Sequence, residues 1–171
     1  GKAIEDEAFK TLKIARFIGD YMEGCGFDCQ YQDVDNRDLN CIIRLDRGAE
    51  KTLLYEAHMD TVQPGKMDDP FNPKIVDGKM HGRGACDDKG SLAAMLNALR
   101  MLKTDDSLDS NVVVACTANE EHGYTGVLRL IEEGIKADGA VVGEPTELDV
   151  IRAHKGVLRW SIATRGVSAH I

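Results

Sequence analysis

Leu53-Leu54-Tyr55-Glu56-Ala57-His58-Met59-Asp60-Thr61 is the stretch that decides the fold: an apolar run gives out into a histidine and a carboxylate two positions apart. A strand over residues 52–58 has a side-chain period of two, which places His58 and Asp60 on one face at its carboxyl end. In an open α/β sheet, ligands bind in the crevice outside those ends. The stretch therefore predicts a sheet strand that carries a metal ligand and its orienting partner to a binding crevice. A His-x-Asp pair alone is weak, and the acidic groups that follow it in the chain give it weight.

Upstream, Ala8, Leu12, Ala15, Ile18 and Met22 recur at helical spacing between Ile4 and Glu23, and Gly24 and Gly26 flank the stop. This predicts an amphipathic helix packed on a sheet. Short strands are predicted over 28–34 and 40–45, separated by the polar turn Asp35-Asn36-Arg37-Asp38. Downstream, Pro64-Gly65, Pro70, Pro73 and Asp77-Gly78 mark a surface loop with a small hairpin over 74–81. Gly82-Arg83-Gly84-Ala85-Cys86-Asp87-Asp88-Lys89-Gly90 then opens a helix with the apolar stripe Leu92, Met95, Leu96, Leu99 and Leu102. Its acidic pair lies at the amino end, where the helix dipole favours negative charge. Asn111 to Ala118 is an almost uninterrupted apolar run, expected of a strand buried on both faces, and Asn119-Glu120-Glu121-His122-Gly123 follows directly. A helix over 125–133 leads to Gly139-Ala140-Val141-Val142-Gly143, a further buried strand, and to Glu144-Pro145-Thr146. Residues 150–153 and 156–164 alternate like antiparallel strands.

A chain of 171 residues has room for one domain with a real core, or for one domain and the start of another. The net charge of −8 argues against nucleic acid and anionic membrane surfaces, which reward lysine and arginine patches, and leaves small molecules and other subunits as partners. No run approaches the length of a membrane span, and Gly1-Lys2-Ala3-Ile4-Glu5-Asp6-Glu7 lacks the basic and apolar blocks of a signal peptide, so the expected location is the cytoplasm. Cys25, Cys29, Cys41, Cys86 and Cys116 are odd in number without paired short spacings, and are expected to be reduced, buried thiols.

Three predicted strands end in imidazole or carboxylate groups, at His58 and Asp60, at Glu120 and Glu121, and at Glu144, while Asp87 lies at a strand-to-helix junction. A parallel sheet brings all of these to one edge. So many carboxylates repel one another unless a cation sits among them. Imidazole with carboxylates and no thiolate suits zinc, with manganese and cobalt as next choices. The ligand count suggests two ions about 3.5–4 Å apart with Asp87 between them. Of Glu120 and Glu121, one would then be a ligand and the other free to act as general base on water.

His58-Met59-Asp60, Gly84-Ala85-Cys86-Asp87-Asp88-Lys89-Gly90, Asn119-Glu120-Glu121, Val142-Gly143-Glu144-Pro145-Thr146 and Gly166-Val167-Ser168-Ala169-His170 stand in the order and rough spacing of one family. In these motifs the chain resembles the co-catalytic zinc peptidases and deacylases. That family includes acetylornithine deacetylase, succinyl-diaminopimelate desuccinylase, aminoacylase and glutamate carboxypeptidase. The resemblance implies an α/β fold, a mainly parallel sheet flanked by helices, with residues 1–155 as the N-terminal part of an incomplete catalytic domain. Residues 156–171 would be the first strand of a lid and dimerisation domain.

The same resemblance implies two zinc ions, with His58 and Glu144 on one, Asp87 bridging and Glu121 on the other. Glu120 matches the general base, and Asp60 the carboxylate that holds the His58 imidazole, a fixed tautomer being the better ligand. A cis peptide is implied between Asp87 and Asp88, and His170 resembles the histidine that stabilises the oxyanion in the neighbouring protomer's site. Members of the family continue to a distant histidine that completes the second zinc site. The chain is therefore expected to be an N-terminal piece, itself inactive, of an enzyme that is a homodimer at full length.

The implied function is metal-dependent hydrolysis of an amide bond in an N-acyl amino acid, of the deacetylase or desuccinylase kind, with dipeptidase or carboxypeptidase as the alternative. A catalytically silent metal-binding or assembly module is the reading from another class. Taken singly, the motifs have plainer accounts: Glu120-Glu121 as a solvated loop, Asp87-Asp88 as a helix cap, and His81, His122 and His154 as surface or supporting histidines. Five such coincidences in one order are a poorer account than one shared site.

Overall fold

The computed structural model describes residues 11–35, 38–156, 158 and 160–167. Helix α1 (Leu12–Gly24) is followed by the hairpin of β1 (Asp28–Asp33) and β2 (Leu39–Leu45), and then by β3 (Thr52–His58). A surface loop carries β4 (Lys74–Val76) and β5 (Lys79–His81), after which come α2 (Lys89–Leu102), β6 (Asn111–Thr117), α3 (Thr125–Glu132) and β7 (Gly139–Val142).

The main sheet has the order β1-β2-β6-β3-β7. β3 runs parallel to both β6 and β7, whereas β2 is antiparallel to β6 and to β1. Among these five strands only β2 opposes the shared direction, so the carboxyl ends of β3, β6 and β7 face one rim. Parallel neighbours need crossovers, and α2 and α3 supply them. On one face of the sheet Val112, Val114 and Cys116 of β6 join Ala15, Ile18 and Met22 of α1 and Leu92, Leu96 and Leu99 of α2. On the other, Val113 and Ala115 join Ile42 and Leu130 of α3. The alternation along β6 is the period of a strand buried on both sides, and each buried leucine stabilises its helix on the sheet by about 1.5–3 kcal/mol. Arg47 caps α2, its guanidinium donating to the carbonyls of Leu102, Lys103 and Asp105 at 2.8, 2.9 and 3.1 Å.

Ala8, with the rest of residues 1–10, lies outside the described residues; α1 begins at Leu12, which is itself 42% exposed, so the buried stripe starts at Ala15. β7, expected to be buried, is exposed along its length because it forms the sheet's edge and pairs with β3 alone. Residues 150–156, 158 and 160–167 form no strand. Their alternation offers an apolar face, but no neighbouring strand takes their backbone groups, and Leu158, Trp160 and Ile162 are largely exposed. Cys86 is exposed in the turn before α2, while Cys41 and Cys116 are buried and all five thiols are free. Among the described residues no helix is long and apolar enough to cross a membrane.

Candidate metal centre

The side chains just beyond β3, β6 and β7, and those just before α2, meet at the rim. His58 is 2% exposed. Its Nδ1 lies 3.1 Å from the Asp60 carbonyl oxygen and 3.5 Å from Asp60 Oδ1, while Nε2 lies 3.0 Å from Asp87 Oδ1. Both ring nitrogens thus face oxygen acceptors, and a neutral imidazole has only one N–H to give. Either a proton or a cation has to sit between Nε2 and Asp87. For the proton, burial works against a charged ring, but the hydrogen bond and charge of Asp60, with Asp88 and Glu120 nearby, override it and push the His58 pKa up to about 9.

A cation fits the same place. Ligand atoms of His58, Asp87 and Glu144 all lie within 4.8 Å of one another, and so do those of His58, Glu120 and Glu121. The set of imidazole and carboxylate donors suits a divalent first-row metal. Glu144 is exposed as a residue, yet its carboxyl end sits among these groups. Desolvation there, with the charges of Asp87, Glu120 and Asp88, pushes its pKa up to about 7 against the pull of His58. Glu120 is raised too, by burial and then by Glu121, Asp60 and Asp87, with His58 opposing. Such mutual suppression of ionisation is what a bound cation relieves.

Asp60 behaves differently. Burial would raise its pKa, but bonds from His58 and from the backbone N–H groups of Glu120 at 3.0 Å and Glu121 at 3.1 Å hold it below its ordinary value. The Asp60 carboxylate thus holds the backbone of both glutamates, and the same residue faces the imidazole, with its carbonyl as the nearer acceptor at 3.1 Å and its carboxylate at 3.5 Å. Lys89 Nζ donates to the carbonyl of Met59 at 3.0 Å, between His58 and Asp60. Its approach needs Gly84, where φ is +79° and a Cβ would lie 2.7 Å from Thr61 Cγ2 and 2.9 Å from Lys89 Nζ. The Asp87–Asp88 peptide is cis.

Asp88 makes no side-chain cap bond to α2. It is wholly buried, and neither of its oxygens has a regular hydrogen bond among the described residues, although Ser91 and the His58 backbone lie close. Burial raises its carboxyl above the usual range. Glu56, also buried and raised by desolvation, accepts a bond from the Thr117 hydroxyl.

Of the residues singled out from the sequence, His58, Asp60, Asp87, Glu120, Glu121 and Glu144 come together here. His170 lies outside the described residues. His81, His122 and His154 are exposed and belong to neither ligand group. The sequence alone assigns no role to Glu56, Asn40 or Lys89. For the first two the available signal was a polar residue inside an apolar run, beside Ala57 and beside Cys41-Ile42-Ile43.

The sequence pattern of peptidase family M20/M25/M40 matches residues 54–164. A probable succinyl-diaminopimelate desuccinylase of Staphylococcus epidermidis is 31% identical over 174 aligned residues, covering 98% of this chain and 43% of that protein. The chain thus spans less than half the length of this curated relative. Among solved structures, an M20 family metallo-carboxypeptidase from Sulfolobus solfataricus superposes with a TM-score of 0.68 at 25% identity, over 76% of this chain and 31% of that one. Aminopeptidase PepT from Bacillus cereus gives a TM-score of 0.64 at 28% identity, over 78% and 38% of the two chains. The motifs, the sheet and the matched span agree: this chain belongs to the M20/M25/M40 family of metal-dependent hydrolases.

Proposed function

We propose that the rim is the active site of a zinc-dependent amidohydrolase that removes the acyl group from an N-acyl amino acid, with Glu120 as general base. The observation that carries this is the convergence of His58 Nε2, 3.0 Å from Asp87 Oδ1, with a Glu144 oxygen, all within 4.8 Å of one another: one imidazole and two carboxylates around a point that a proton or a cation can occupy. His58, Asp87 and Glu144 would hold one ion, and Asp87 and Glu121 would contribute to a second, with cobalt or manganese able to replace zinc. When bound, the metal polarises the scissile carbonyl and makes water a stronger acid.

The chain's own groups do the rest. Asp60 fixes the His58 ring and, through two backbone N–H groups, the Glu120-Glu121 turn. The Glu120 carboxylate, raised in pKa by its surroundings, takes a proton from the attacking water and delivers it to the nitrogen as the C–N bond breaks, releasing a carboxylate and an amine. His170, reaching from a second protomer of a homodimer, is the proposed donor to the oxyanion. The five free thiols support a reducing compartment, the cytoplasm. The likeness to a desuccinylase favours N-acyl amino acids, whereas the structural likeness to a carboxypeptidase and an aminopeptidase favours a peptidase as second reading.

Assay of the complete gene product on N-acetyl amino acids, N-succinyl-diaminopimelate and dipeptides, with and without chelator, separates these. Turnover of the first two that chelator abolishes supports the deacylase, and turnover confined to dipeptides supports the peptidase. Activity indifferent to chelator, or a chain that binds no ion and hydrolyses nothing, would return it to a silent assembly module.

A further inference from the structure

We propose that Asn40 is a positioning residue for Glu120: a single buried amide fastens both ends of the acidic loop to the sheet. The inference rests on the reading of Glu120 as general base. Asn40, the second residue of β2, is wholly buried. Its Nδ2 donates to the Gly126 carbonyl at 2.8 Å and to Gln32 Oε1 at 3.0 Å, and its Oδ1 accepts the Ala118 N–H at 3.0 Å. Both donor hydrogens and the acceptor are in use, so the amide has one orientation.

Ala118 is where the chain leaves β6, Gly126 is where it enters α3, and Asn119-Glu120-Glu121 lie between them. The Gly126 N–H also closes on the Ala118 carbonyl at 3.1 Å. A Cβ at Gly126 would lie 2.3 Å from the Ala118 oxygen and 2.7 Å from Asn40 Oδ1, so the loop shuts directly on the amide.

The direction of β2 makes this possible. Because β2 opposes β6, with Cys41 opposite Cys116, its beginning lies beside the end of β6, at the catalytic rim. The loop is bonded within itself, the Gly123 and Tyr124 N–H groups donating to the Asn119 carbonyl at 3.2 and 2.8 Å and Asn119 Nδ2 to Thr125 Oγ1 at 2.8 Å, so it moves as a unit and its placement depends on what grips it from outside. Asp60 grips the loop from the β3 side through the Glu120 and Glu121 N–H groups, and Asn40 grips it from the β2 side. Asn40 is propped in turn: Gln32 Nε2 donates to Glu133 Oε2 at 2.6 Å, and Glu133 pairs with Arg129 at 2.7 Å. Without Asn40 the loop pivots about Asp60, and the Glu120 carboxylate shifts while His58 on β3 stays.

In the complete gene product at saturating metal, Asn40→Ala is expected to lower kcat by about 100-fold with KM little changed, the scale of a misplaced catalytic group. Amide exchange should rise over residues 118–126 and not in α2. Leu99→Ala, buried against the opposite face, is the control for a merely structural effect: faster exchange throughout, kcat unchanged. Gln32→Ala removes only the prop, and decides the matter by the same two readouts, with a smaller fall in kcat, if Asn40→Ala does not fold. A parental kcat, a loss confined to KM, or exchange that rises everywhere overturns the proposal. Glu120→Gln reports separately on the underlying reading: if that variant keeps its turnover, the base assignment fails, and the clamp's catalytic role goes with it.

Discussion

His58 and Glu144 converge on the same point from opposite kinds of ground. His58 ends a strand with neighbours on both sides and is 2% exposed, with both ring nitrogens engaged. Glu144 follows β7, an edge strand whose residues are all exposed, and no strand forms in the described residues after it. One part of the centre is thus built by the fold before any ion arrives, while the other is the part an ion has most to order. Preorganised groups lose little on binding, and loosely held ones set the cost.

Glu120→Gln attacks the built part most directly. It should cut kcat by about 10²–10⁴-fold, the usual contribution of a positioned base, with bound metal unchanged when both are measured together. Zinc tests the contrast itself. At free ion about 100 times its Kd it should stabilise the chain by about 2.7 kcal/mol, seen as a rise in Tm that chelator reverses. Because Glu144 and His58 must give up protons held at pKa values of about 7 and about 9, calorimetry near pH 6 in buffers of different ionisation enthalpy should show proton release. Exchange protection gained around Glu144 and not at His58 would sharpen the comparison, and the reverse would break it.

Asp60→Asn comes next. One oxygen that accepts an N–H becomes an amide donor, so metal affinity should fall by about 10–100-fold by competition with a chelating dye. The pH dependence of the metal-free chain is smaller. Glu144 and His58 both have folded pKa values above their ordinary ones, so their contributions are full below 4.5 and 6.5 and are lost as pH rises through about 7 and about 9. Tm should decline across that window without metal and hold better with it. Asp60, shifted downward, acts only in the acid range below. Smallest of all, Trp160→Ala should change stability by no more than about 0.5 kcal/mol, since the indole is 72% exposed. A large loss of Tm there would mean that the segment after β7 is packed after all.

The same contrast explains what the sequence could reveal. The β3 strand, the two-faced burial of β6, the hairpin over 74–81 and the α2 stripe were legible because each is written in a local period and bounded by glycine, proline or charge. The gathering of the acidic stops at one rim followed from strand direction alone. β7 was misjudged as buried because Ala140-Val141-Val142 looks the same at an edge as in the middle of a sheet, where only neighbours differ. Alternation after residue 150 failed for a similar reason, since a strand needs a partner that its own letters do not specify. Asn40 and its partners Gly126 and Ala118 were out of reach because their bonds join positions 86 and 78 residues apart.

The pairing of β3 with β6 has a consequence for the order of assembly. Thr52 stands opposite Asn111, 59 positions along the chain, and contacts of such separation form late because a long loop must close first. That pairing is what brings His58 beside the Glu120-Glu121 turn, so the ligand set is complete only once it has formed. Metal uptake during refolding should lag behind the gain of secondary structure, making metal capture a clock for the last step of sheet closure.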